Sequence, residues 1–87
     1  MILLSSKRFR KSYEKLALKM RDRCRDRMDL FESEPFHPLL DNHPLHGEYA
    51  GCRSINVTGD YRAIFYHENE NTVRFIAIGT HHDLFGN

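Results

Sequence analysis

Six histidines in 87 residues are the first feature of this chain that could do chemistry. His37, His43, His46, His81 and His82 lie outside the segments that read as strand interiors, and His67 closes one such segment. A lone loop histidine is ordinarily a polar surface residue. A group of them beside Asp60 and the arginines of a sheet has a more specific use. Two imidazoles on either side of a phosphate act as general base and general acid near neutral pH, each proton transfer contributing about 10²–10⁴-fold. Arginines beside them stabilise the charge on the phosphate as it becomes pentacovalent. Such a set cleaves RNA without a metal, using the ribose 2′-OH as nucleophile.

A metal site is the competing use of the same residues. His43 and His46 are spaced i, i+3 and His81 and His82 are adjacent, and neither spacing matches a familiar zinc motif. No cysteine lies close in sequence to either pair, so no metal or cofactor is expected. Cys24 and Cys52 could form one bridge at most. The opening Met1–Lys7 is too short an apolar stretch for a secretory signal, so both thiols are expected to be reduced, buried and inert. No apolar run approaches the ~20 residues of a membrane span, and a cytoplasmic protein without a membrane partner is expected.

The elements that must position these groups belong to one small domain, residues 1–87. Hydrophobic residues make up 40% and charged residues 29%, the balance of a soluble globular fold rather than a disordered one. Chains of this size bury only about 60–65% of their unfolded surface, so the stability margin is thin. The net charge of +1 conceals an asymmetry. Residues 7–27 hold ten basic and three acidic residues, a balance of +7, whereas residues 28–87 hold three and nine, a balance of −6. A cationic segment on an otherwise acidic chain suggests contact with an anionic partner, against the plainer reading of a solvated helix face.

Met1–Leu4 reads as a short strand, and Ser5 or Ser6 suits the N-cap of a helix beginning directly after it. Apolar side chains then recur at Phe9, Tyr13, Leu16, Met20, Cys24, Met28 and Phe31, the stripe of an amphipathic helix. Pro35 and Pro38 end it. Leu45–Glu48, Gly51–Val57, Tyr61–His67 and Thr72–Gly79 read as strands. The turns Thr58–Asp60 and Glu68–Asn71 make successive neighbours antiparallel. Both alternate sets of Tyr61–His67 contain apolar groups, which predicts a central strand covered on both faces. Helices first and sheet second give an α+β domain.

Four segments carry a resemblance over essentially the whole chain: Asp41-Asn42-His43-Pro44-Leu45-His46-Gly47, Gly51-Cys52-Arg53-Ser54-Ile55, Gly59-Asp60-Tyr61-Arg62 and Ile78-Gly79-Thr80-His81-His82-Asp83-Leu84-Phe85. In order and spacing they resemble the YafQ-like branch of the RelE/ParE toxin superfamily. The resemblance implies two N-terminal helices packed on a small, mainly antiparallel sheet of 4–5 strands, so the apolar stripe should break between Ala17 and Arg23. It implies a type II toxin that cuts messenger RNA on the ribosome and is held inactive by a cognate antitoxin. The site it implies comprises His43, Asp60 and His81 with Phe85, beside Tyr61 and Arg62 as RNA-binding residues. Asn56 stands where better-known members carry another histidine; it can donate a hydrogen bond to phosphate but cannot shuttle a proton. The basic helices would meet ribosomal RNA.

On this reading His43 or Asp60 takes the 2′-OH proton and His81 protonates the leaving 5′-oxygen. Arg62, with Arg53, holds the phosphate, and Phe85 or Tyr61 stacks on a base. Plainer uses compete: a strand cap for His81, a C-terminal anchor for Phe85, a turn residue for Asp60, and an ion pair of Arg62 with Glu48 or Glu70. At the level of function the alternatives are a ParE-like toxin that poisons DNA gyrase without cleaving anything, and an orphan domain whose toxicity has been lost.

Overall fold

The computed structural model describes residues 1–86. Strand β1 (Ile2–Ser5) leads into helix α1 (Lys7–Glu14) and helix α2 (Leu18–Ser33). After a 3₁₀ turn at Pro38–Leu40 come β2 (His43–Pro44), a second 3₁₀ turn at Gly47–Tyr49, β3 (Arg53–Thr58), β4 (Tyr61–Asn69), β5 (Thr72–Thr80) and the short helix α3 (His81–Phe85). One five-stranded sheet runs in the order β1-β5-β4-β3-β2. Only the β1–β5 pair is parallel. Among the described residues no helix is long and apolar enough to cross a membrane.

Ser6 caps α1 as its side chain accepts from the Phe9 N–H at 3.1 Å. The same hydroxyl donates to the Ile76 carbonyl at 3.2 Å, fastening the start of the helix to β5. The expected break in the apolar stripe is real but falls at Lys15–Ala17, touching only the near edge of the expected window. The Arg21 guanidinium reaches back to donate to the carbonyls of Leu16 at 3.0 Å and Glu14 at 2.6 Å, satisfying acceptors that the end of α1 leaves unpaired. Replacing Arg21 by methionine keeps most of the apolar stem but removes both bonds. We expect a loss of about 1–2 kcal/mol in urea unfolding, because bonds from a charged donor are stronger than neutral ones and these lie partly in solvent.

The sheet carries a core on each face. Toward α1 and α2 lie Phe9, Cys24, Phe31, Ile55, Val57, Ala63, Phe65, Val73 and Phe75, all buried. Cys24 is free, and burial pushes its thiol up to about 11, as expected of an inert cysteine; Cys52 is free and only half-buried. On the other face Tyr49, Ile64, Ala77 and Leu84 form a smaller cluster. Strand β4 is central and serves both faces, with Ala63, Ile64 and Phe65 fully buried. At the far end of the β4–β5 hairpin the Arg74 guanidinium bonds Glu68 and holds its carboxyl below the usual carboxylate range.

Two segments differ from the pattern read in the sequence. Leu45–Glu48 is not a strand. The pairing is confined to His43–Pro44, and the chain then turns at Gly47, whose φ of +64° lies in the left-handed region. β3 likewise begins at Arg53 rather than Gly51, because Gly51 has φ +89°.

Candidate active site

The sheet pairing decides which side chains can meet. His43 lies opposite Ser54, Ser54 opposite Ile64, and Asn56 opposite Arg62, so these residues share the face away from α1 and α2. At the end of β5 the chain enters α3, which lies over the same face. Its start is held by a capping box: the Thr80 hydroxyl accepts from the Asp83 N–H at 3.1 Å, and the Asp83 carboxylate accepts from the Thr80 N–H at 3.2 Å.

That placement brings His43, Leu45, His46, Arg62, His81 and Phe85 around one cavity of about 270 Å³. Phe85 stands between two rings, 4.9 Å from His81 and 5.8 Å, edge-on, from Tyr49. The Tyr49 hydroxyl in turn accepts from Arg8 of α1 at 3.1 Å. Arg62 Nη1 lies 3.7 Å from a carboxylate oxygen of Asp41, not against Glu48 or Glu70. That nitrogen is buried and makes no hydrogen bond with a described residue, so the Asp41 carboxylate meets it at ion-pair distance only. Asn56 Oδ1 and Ser54 Oγ, on the same sheet face, are also buried without a hydrogen-bond partner among the described residues.

Four residues singled out by the sequence lie outside this cavity. Asp60 is exposed in the β3–β4 turn, and its carbonyl accepts from the His81 N–H at 3.1 Å, so its main chain positions the histidine. Tyr61 alternates with Arg62 and therefore packs against the helix-side core, at a separate cavity it shares with Arg8, Lys15 and Leu16. Arg53 donates to Asn42 Oδ1 at 2.7 Å and stacks 5.4 Å over the Phe36 ring, bracing the loop that carries His43. Asn56 forms part of the sheet face beside Arg62 without lining the cavity. His46 and Asp41 join the site without a role that sequence pattern assigns them; for His46 the one available signal is its i, i+3 spacing from His43.

Among the described residues, no group of three or more His, Cys, Asp or Glu is arranged to hold a metal ion. Three imidazoles, a guanidinium and a phenyl ring at one cavity are a set able to bind a phosphodiester and move protons about it.

Gly79 sets how closely α3 can approach. A β-carbon there would stand 3.1 Å from Asp83 Cβ, tighter than ordinary contact. Gly79→Ala is therefore expected to displace α3 by a few tenths of an ångström, carrying His81 and Phe85 with it. A small stability loss in urea unfolding and a larger fall in activity, up to about 10²-fold, should distinguish a positioning defect from unfolding.

Over residues 2–86 the chain matches the family described as bacterial toxin of type II toxin–antitoxin system, YafQ. No curated protein matches it. Among solved structures, YafQ from E. coli strain BL21(DE3) superposes with a TM-score of 0.78 at 28% identity over 97% of each chain. A chain of the E. coli DinJ–YafQ toxin–antitoxin complex gives 0.76 at 29% identity, covering 97% of this chain and 96% of that one. The YoeB/ParE toxin from Agrobacterium tumefaciens shares the fold, with a TM-score of 0.78 at 22% identity over 93% of this chain and 99% of its own. Sheet order, helix placement and a match running almost from end to end agree, and the chain belongs to the YafQ family of type II toxin–antitoxin toxins, within the RelE/ParE-like fold.

Proposed function

We propose that this toxin is a ribosome-dependent, metal-independent endoribonuclease that cleaves messenger RNA and so blocks translation. The observation that carries this reading is the convergence of His43, Arg62, His81 and Phe85 on one cavity. Arg62, whose side chain lines the cavity, holds the scissile phosphate. His43, on the same sheet face, takes the 2′-OH proton, and the 2′-oxygen attacks phosphorus. His81, across the cavity, gives a proton to the departing 5′-oxygen. Phe85, fixed between Tyr49 and His81, offers its ring to a base. The base assignment goes to His43 rather than Asp60 because only His43 lines the cavity.

The exposed cations of α1 and α2, among them Lys7, Arg8, Lys11, Lys19 and Arg23, supply a sequence-independent attraction for ribosomal RNA. The cognate partner is an antitoxin, as DinJ is in the E. coli complex, and its binding to this cationic chain holds the toxin inactive. End-group analysis of cleaved message tests the chemistry. A 2′,3′-cyclic phosphate upstream and a 5′-hydroxyl downstream are expected. A 3′-hydroxyl with a 5′-phosphate would rule out 2′-OH attack.

A further inference from the structure

Asp41 stands immediately after the first 3₁₀ turn with φ +47° and ψ +47°, and it is the one non-glycine described residue with positive φ. Aspartate tolerates this left-handed conformation better than most residues, but it is still uncommon. The conformation turns the Asp41 carbonyl toward the side chain two residues on, and His43 Nδ1 lies 2.7 Å from that oxygen. A carbonyl only accepts, so Nδ1 must carry the proton. In the neutral ring the lone pair is then on Nε2. The Asp41 carboxylate adds contacts of a different kind, at ion-pair rather than hydrogen-bond distance, with Oδ2 3.8 Å from His43 Nδ1 and 3.7 Å from Arg62 Nη1. One residue therefore touches two cavity groups that stand on different strands.

We infer that Asp41 is a positioning residue of the active site: its carbonyl fixes His43 in the Nδ1–H tautomer, and its carboxylate holds the His43 ring and the Arg62 guanidinium in register. Free histidine favours the opposite tautomer in water, so the bond changes which nitrogen is basic. With Nε2 basic, His43 has a lone pair with which to take the 2′-OH proton while Arg62 faces the phosphate. The inference rests on the proposed nuclease activity for its consequence, but not for its first observable.

That observable is the tautomer of His43 in the free protein, read by nitrogen-15 NMR of the imidazoles above the titration range. The wild type should show a protonated Nδ1 and an unprotonated Nε2 for His43. Asp41→Asn keeps a residue type that accepts positive φ, and keeps the carbonyl while removing the charge. It should retain the tautomer and the thermal midpoint but lower kcat for message cleavage on ribosomes about 10-fold at unchanged KM. Asp41→Gly, equally tolerant of the backbone angle, should behave like Asp41→Asn. Asp41→Ala, strained at that φ, should also lose the tautomer preference. A protonated Nε2 in the wild type overturns the inference and leaves the nuclease reading standing. Wild-type kcat in both Asp41→Asn and Asp41→Gly overturns it as well. No cleavage by a wild type that shows the expected tautomer overturns the nuclease reading, and Asp41's part in catalysis with it.

Discussion

Replacing His81 by alanine is expected to slow message cleavage on the order of 10²-fold or more while leaving folding nearly intact. The two halves of this expectation have separate causes. On the proposed mechanism His81 gives the proton to the 5′-oxygen, and without it that oxygen would leave as an alkoxide or take its proton from water. The residue is exposed in the first turn of α3, and the ring contact with Phe85 is the packing that the change removes. What holds that helix is the Thr80–Asp83 capping box, the His81 main-chain bond to Asp60 and the burial of Leu84, all of which survive the change. Single-turnover cleavage beside a thermal melt checks both halves. A variant that melts like the wild type and cleaves at the wild-type rate would remove His81 from the mechanism.

The largest stability effect is expected at Phe31. Its ring is 1% exposed and meets Phe65 edge-on at 4.9 Å and Phe75 at 5.5 Å, joining α2 to the two longest strands. Phe31→Ala removes the aromatic pairs and leaves a cavity under the helix, at a cost of about 3–5 kcal/mol. A domain of this length has a total stability on the order of 4–13 kcal/mol, so the variant loses from about a quarter of it to nearly all of it. Urea unfolding should show a midpoint displaced to lower denaturant with an unchanged slope. A loss below about 1 kcal/mol would mean that the site collapses around the missing ring, contrary to the packing described.

Much of this architecture is legible in local pattern because local pattern causes it. The stripe from Phe9 to Phe31 is the buried face of α1 and α2, and the mixed apolar character of Tyr61–His67 belongs to a strand buried on both sides. The helix break is harder to place, since Ala17 carries no capping side chain and the joint is satisfied by Arg21 from the following turns. Gly47 and Gly51 look compatible with strands, yet both take left-handed angles that end or delay the pairing. The site divides along the same line. His43, Arg62, His81 and Phe85, which the family resemblance implies, share the cavity, whereas Asp60, implied by the same resemblance, lies outside it. The placement of Tyr61 is a matter of alternation alone, because a neighbour of Arg62 in a strand faces the other way. The placements of Arg53 and Asp41 have no such local cause, because they depend on Asn42, Phe36 and a backbone angle set by the preceding 3₁₀ turn.

The most direct test of the account is cleavage of a defined message on purified, programmed ribosomes by the wild-type toxin, with and without a chelator selective for transition metals that leaves the ribosome's magnesium in place. Cuts within the A-site codon that persist in the chelator are the predicted result, if the imidazoles and guanidinium of the cavity carry the chemistry themselves. Intact message on toxin-bound ribosomes, or cuts that the chelator abolishes, would contradict it.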